Sequence, residues 1–359
     1  MSIKFDATRW SAVKEVAREW WAGRLKRPLI QIRLQGRDPQ RPAPRHPYYG
    51  FAARYLESVT PEEIVDVWDY ELSKMEYLGD AFPDIWPNFG PGIIAGFMGT
   101  RVTPVEDTIW FEPVAIKMPA ELRLACDLEN PWFRRVRDIC RAAQERWQGL
   151  VQVGMTDLGG NLDILASFRP GESLLLDLYD HPEDVKRLTW QAHDAWWQYF
   201  NELNAALRPP NPGYTAWTPI FSESPYYMLQ CDFANMIGPD MFDEFVKPEL
   251  AASCRRLENA FYHLDGPGQL PHLDSLLTIP ELKGVQWIPG AGQPDASHWP
   301  EVYRKIRAAG KRIHLVGGIA ELDAVARQLG SAEGIVLFDT LPLSRKAEAE
   351  ALLRRYGVM

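Results

Sequence analysis

The sequence predicts an α/β fold of the (β/α)8, or TIM-barrel, class, with an N-terminal helical extension and loops that cover the mouth, spanning residues 1–359 as one domain. Eight short apolar runs predict it, at 29–36, 81–86, 150–156, 226–233, 259–263, 284–289, 312–317 and 334–338, since eight strands in repeated strand–helix units close such a barrel. Helical periodicity between most of these runs, at 61–78, 182–207, 239–257, 299–309, 321–329 and 345–356, is the second observation. The third is the placement of Pro61, Pro182 and Pro239 at first-turn positions, where a missing N–H costs nothing.

Ahead of the first strand, residues 7–25 read as a helix that carries the Trp20-Trp21 pair and plugs or flanks the barrel base. Residues 100–116 alternate apolar and polar side chains and read as a β-excursion. Residues 208–224 are rich in Pro and aromatics without helical period, and both segments are expected over the mouth.

The apolar share of 46% and the charged share of 24% are those of a globular protein with an ample core. A net charge of −9 argues against nucleic acid or an anionic membrane as the main partner, because both need a basic face. No apolar run approaches the roughly 18 residues of a spanning helix, and Met1-Ser-Ile-Lys-Phe-Asp6 lacks the apolar core of a signal peptide, so a cytoplasmic location is expected. Cys126, Cys140, Cys231 and Cys254 form no CxxC pair and read as free thiols. A small-molecule substrate is the expected partner, and nothing in the sequence opposes a homodimer.

In such a barrel the reacting groups lie at the C-terminal ends of the strands, so the residue closing each apolar run is the candidate. This yields Arg33 and Arg37 after the first strand, Asp84 with Trp86 after the second, Asp157 after the third and Asp232 after the fourth. The fifth run ends in His263-Leu-Asp265, the sixth in Trp287, and the eighth in Asp339. His263 and Asp265, two apart on an extended segment, share a face and can hold a divalent metal or act as an acid/base couple. The His-Leu-Asp triplet returns at His272 after a Gly/Pro loop, which makes His272 a further substrate-binding candidate, as is Trp217 in the Pro-rich segment. Asp163, Arg169 and Glu172 read as surface charges unless their loop folds inward.

These residues resemble a known superfamily. The segment Arg27-Pro-Leu-Ile-Gln-Ile-Arg33-Leu-Gln-Gly36-Arg37 resembles the first strand of uroporphyrinogen decarboxylase, where two arginines around a Gly bind substrate carboxylates, and Pro83-Asp84-Ile85 is similar to its strand-two Asp motif. The most specific stretch is Leu229-Gln-Cys-Asp232-Phe-Ala-Asn-Met-Ile-Gly-Pro239-Asp-Met-Phe242-Asp-Glu-Phe245-Val-Lys-Pro248, similar to the strand-four Asp and following helix shared by the decarboxylases and the corrinoid-linked methyltransferases. The chain departs from the decarboxylase pattern at Phe168, where a Tyr would stand, and at Asp339-Thr340, where a His would stand. A mouth ringed by Asp84, Asp157, Asp232, Asp265 and Asp339 also disfavours an octa-anionic tetrapyrrole.

The methyltransferase branch binds zinc through His-x-Cys and a late Cys; here the pair reads His263-x-Asp265 and no Cys follows Cys254. The resemblance therefore implies an oxygen-rich site of His263 and Asp265 with Asp339 or Asp232, suited to zinc first and to harder ions such as Mn and Mg. The leading expectation is a metal-assisted methyltransferase acting on a small methylated substrate, with Asp84, Asp232, His263 and Asp265 as catalytic groups and a corrinoid on a separate protein as acceptor. The alternatives are a decarboxylase or lyase of a small carboxylate held by Arg33 and Arg37, and an enzyme acting on a sugar or polyol through Trp86, Trp217 and Trp287. A non-catalytic binding barrel is the remaining class.

Overall fold

A computed structural model describes residues 3–359. Its strands are β1 (Leu29–Gln35), β2 (Met75–Gly79), β3 (Asp84–Ile85), β4 (Arg101–Pro104), β5 (Ile109–Glu112), β6 (Gln152–Val153), β7 (Tyr226–Gln230), β8 (Asn259–Asp265), β9 (Leu282–Ile288), β10 (Arg312–Leu315) and β11 (Ile335–Pro342). The central sheet runs β2-β1-β11-β10-β9-β8-β7, parallel throughout except for β2, which lies antiparallel on β1. A second parallel pair, β3-β6, stands apart. Each of the eight apolar runs thus contributes one parallel strand, and helices connect most of them in an α/β arrangement.

The hydrogen-bonded ladder does not close into a barrel among the described residues. Two local features account for the gaps. The free edge of β1, where β3 would pair, is taken by β2, with Gln31 opposite Gly79 and Gln35 opposite Met75. On the other side, segment 208–224 wedges against β6: Met155 N–H donates to Thr215 O (2.9 Å), Val153 N–H to Asn211 Oδ1 (2.9 Å), and Gly213 N–H to Gln152 Oε1 (2.9 Å). The first two satisfy backbone N–H groups at β6 that would otherwise pair with β7. The Pro-rich segment therefore fills a gap between strands, in addition to sending Trp217 to the cavity described below.

The helix expected over 61–78 spans Pro61–Ser73. Thr60 and Glu63 form a reciprocal capping box at its start. The chain then reverses at Lys74 into β2, whose Met-Glu-Tyr-Leu-Gly sequence continues an apolar pattern without marking the change of period. The β-excursion is the antiparallel pair β4-β5. The N-terminal helix (Ala7–Trp21) closes the strand N-terminal end: Trp20 stacks on Phe261 (6.1 Å), Trp21 meets the same ring edge-on (5.7 Å), and Arg312 donates to the carbonyls of Trp20 and Trp21. Those donations add to the bond that Trp20 O accepts from Gly23 N–H (3.0 Å) at the end of the helix, where carbonyls run short of intrahelical partners.

Strand alternation assigns two faces. Ile30, Ile32, Leu264, Trp287, Leu315 and Leu337 are fully buried toward the helices, while their neighbours Arg33, His263, Gln286, His314 and Phe338 face the opposite way. No helix among the described residues is long and apolar enough to cross a membrane.

Candidate functional site

The inward phase of the parallel strands lines up a polar layer. Register places Gln230 of β7 beside His263 of β8, His263 beside Gln286 of β9, and Gln286 beside His314 of β10. Residues opposite one another in parallel strands project to the same side, so these four side chains meet. His263 Nδ1 lies 2.5 Å from Gln286 Oε1, and Gln286 Nε2 lies 2.9 Å from His314 Nδ1. With the amide in that sense, His263 donates from Nδ1 and keeps a lone pair on Nε2. Burial pushes His314 down to about 3, so it is neutral at physiological pH and accepts from Gln286.

Beyond His263 stand two carboxylates. One ligand atom each from Asp232, His263 and Asp265 can be chosen so that all three lie within 4.8 Å of one another. His263 Nε2 is 3.9 Å from Asp265 Oδ2. The loop bearing Asp232 is fixed from below. Asp163, on the helix Asn161–Phe168, accepts the backbone N–H of Asp232 (2.8 Å) and of Phe233 (2.7 Å). Asn235 donates to the carbonyls of Asp232 (3.2 Å) and Asp265 (3.0 Å) and so ties the two loops together. Gly160 lets the Asp163 helix approach this close, because a Cβ there would lie 2.8 Å from Gln230 O.

Electrostatics in this region favour proton uptake or cation binding. Burial first, and the neighbouring Asp232 second, push Asp163 up to about 8. Burial pushes Asp157 up to about 6 despite the N–H of Gly159; its carboxylate also accepts from Gln230 Nε2 at 3.1 Å. Asp232 keeps solvent exposure at the mouth, and its carboxyl is raised by the surrounding protein, with His263 opposing and Asp265 reinforcing. Several carboxylates short of counter-charge share one neighbourhood, which a divalent ion would relieve.

A cavity of ≈ 340 Å³ adjoins the layer. Its wall includes Arg33, Asp84, Trp86, Trp217 and Phe338. Arg33 forms an ion pair with Asp84, and its guanidinium lies over the Phe338 ring at 4.6 Å. Burial lowers Arg33 to about 10, which leaves it cationic. Trp217 joins the cavity to the imidazole, its ring meeting that of His263 edge-on at 5.1 Å.

Of the residues expected at the site, Asp232, His263 and Asp265 converge, Asp157 stands beside them through Gln230, and Arg33, Asp84, Trp86 and Trp217 surround the cavity. Arg37 lies past the end of β1 with its N–H on Lys74 O (3.0 Å) and is absent from the cavity wall. Three expectations are corrected. Trp287 is one residue out of phase with Gln286, so it faces the helices and packs on Trp299 at 5.1 Å. Asp339 is out of phase with Phe338 and shares the face of Ile32; its neighbours are Arg345, Glu321 and Glu348, and the cluster's third member is Asp232 instead. His272 is enclosed, stacked on Phe242 at 4.6 Å, with Nε2 2.9 Å from Ala234 O. It braces the turn after Asp232. Arg169 is likewise an internal strut, paired with Asp177 at 2.6 Å.

Gln230, Gln286, His314 and Asp163 were absent from the sequence candidates. The first three stand at the inward phase set by His263, a signal that strand register exposes. Asp163 became legible only once its loop was seen to turn inward. No family model matches the sequence, and no characterised protein matches it in a sequence comparison. Among solved structures, bee venom hyaluronidase in complex with a hyaluronic acid tetramer is similar at 10% identity over 84% of this chain and 92% of that one, with a TM-score of 0.35. Macrophomate synthase is similar at 14% identity over 63% of this chain and 73% of that one, with a TM-score of 0.23. Likenesses of this size describe what the chain is similar to and carry no argument about its fold or chemistry.

Proposed function

We propose that the chain is a metal-assisted methyltransferase that acts on a small methylated substrate in the cavity beside Trp217 and passes the methyl group to a corrinoid on a separate protein. The observation that carries the metal half of this reading is the convergence of Asp232, His263 and Asp265 within 4.8 Å. One imidazole and two carboxylates suit zinc or a harder divalent ion, and open positions remain for substrate. His263 fits the ligand role because Gln286 accepts from its Nδ1 and leaves Nε2 for coordination, the arrangement found behind metal-bound imidazoles. The bound ion would supply Lewis-acid polarisation of the ether or amine heteroatom that leaves.

The protein's own groups perform the rest. Asp163 and Asn235 hold the Asp232 and Asp265 loops in place. Asp157, raised to about 6 by burial, would be the group that gives a proton to the departing heteroatom. The methyl-transfer half rests on the resemblance of the stretch from Leu229 to Pro248. A decarboxylase reading has less support, since Asp84 already neutralises Arg33, the arginine that would clamp a substrate carboxylate.

The test has two arms. Protein purified without chelator should carry about one equivalent of a divalent metal, and His263→Ala should lose it. Metal-loaded protein mixed with a Co(I) corrinoid protein and a methyl ether or methylamine should give the methyl-cobalt absorption spectrum. Full turnover by metal-free wild-type protein would overturn the reading.

A further inference from the structure

We infer that the cavity takes an uncharged, ring-shaped ligand rich in acceptor oxygens, of which a monosaccharide glycoside is the chemical class. The inference deepens the reading above, because the ligand would be the substrate of that site, yet its test does not require a metal. Charge gives the first argument. The charged groups on the cavity wall are already matched: Arg33 with Asp84, and Glu71 with Lys74 at 2.5 Å. An anion would meet Asp84 and Glu71 with no cation to spare, and a cation would meet Arg33. A neutral guest is the one the wall leaves room for.

Hydrogen-bonding sense gives the second argument. Arg33 Nε and Trp217 Nε1 are buried donors on cavity-lining side chains, and neither has an acceptor among the described residues. An unmet buried donor costs about 1–3 kcal/mol, so a guest that supplies acceptors is favoured and one that brings only N–H groups is not. Shape gives the third. Tyr48, Trp86 and Trp217 offer flat apolar surface on a wall that also carries the amides of Gln35 and Asn88. Apolar C–H faces and polar edges in one rigid ring match that mixture, whereas a purely aromatic guest would leave the amides and donors unsatisfied. At ≈ 340 Å³ the cavity lies at the small end of ligand pockets, which run from about 300 to 1,000 Å³.

The experiment is calorimetric titration of the full chain, metal-loaded and metal-stripped, with the methyl glycosides of glucose, galactose and mannose, and with glucuronate and glucosamine as charged rings of the same size. At least one methyl glycoside should bind about 10-fold more tightly than either charged ring, a difference of about 1.4 kcal/mol. Trp217→Phe, which keeps a ring and removes the N–H, and Arg33→Lys, which removes the Nε donor, should each weaken that binding several-fold. Trp287→Phe, on the helix side, should leave it unchanged. Absence of binding by all three glycosides, equal binding of a charged ring, or wild-type affinity in both Trp217→Phe and Arg33→Lys would overturn the assignment. Glycoside binding by metal-stripped protein would sustain this inference, whereas the metal reading fails separately, on a protein purified without chelator that carries no metal.

Discussion

Gln286 presents its Oε1 2.5 Å from Nδ1 of His263, and this contact decides which imidazole nitrogen faces the carboxylates. The other end of the same amide lies 2.9 Å from Nδ1 of His314, which burial keeps neutral and therefore able to accept. The amide is thus held in one sense by a residue that never reaches the cluster. Gln286→Leu should lower divalent-metal affinity about 10- to 100-fold, as loss of a partner behind a ligating histidine does elsewhere. A competitive chelator titration reads this directly, and unchanged affinity would show that His263 needs no such partner.

The cluster's third member is the subject of a second expectation. Asp232 shares the cluster with His263 and Asp265, whereas Asp339 projects to the helix side with Ile32. Asp232→Asn should therefore weaken metal binding by at least about 10-fold, and Asp339→Asn should leave it at the wild-type value. Elemental analysis of the two variants purified in parallel decides between them. The reverse pattern would return Asp339 to the site.

Strand positions were legible in the sequence because a buried parallel strand is a continuous apolar run, and runs such as 226–233 and 259–263 need no partner to be seen. Phase was not legible in the same way. Choosing a residue near or just past the end of each run put Trp287 and Asp339 in the site, although alternation places their neighbours Gln286 and Phe338 inward. His263 and Asp265 were found because two-residue spacing fixes a shared face whatever the register. β2 was hidden because Met75-Glu-Tyr-Leu-Gly79 follows a helix without a break in apolar pattern, and its pairing with β1 is a long-range fact. Asp163 was hidden because nothing local says that the helix after β6 turns its first carboxylate inward.

Trp287 and Trp217 should separate stability from function. Trp287 is fully buried against Trp299, so Trp287→Ala should destabilise the protein by about 3–5 kcal/mol, the usual result of emptying a large aromatic site. Trp217 is only partly buried and faces the cavity and His263. Trp217→Ala should cost less stability and more activity. Urea unfolding of both variants, set beside turnover, checks the pair; equal stability losses would mean that Trp217 is a core residue.

The pH dependence of the metal-free protein follows from Asp157 and Asp163. Their folded values are raised to about 6 and about 8, against about 3.9 for an unfolded aspartate. Between those values the folded state binds more protons than the unfolded state, so stability falls as pH rises. The contribution is fully present below about pH 4, that of Asp157 is lost through about pH 6, and that of Asp163 through about pH 8. Above that range both sites carry uncompensated buried charge. The melting temperature of chelator-treated protein should therefore decline from about pH 4 to about pH 8. A divalent cation should restore it at the upper end by neutralising the cluster. Asp163→Asn should melt lower at acid pH, since an amide accepts only one of the N–H groups of Asp232 and Phe233. It should also lose the slope between about pH 6 and 8, where Asp163 is the group that titrates. A wild-type melting temperature that stays flat across this interval without metal would show that Asp163 is ionised throughout and that the cluster is already balanced by the protein's own charges.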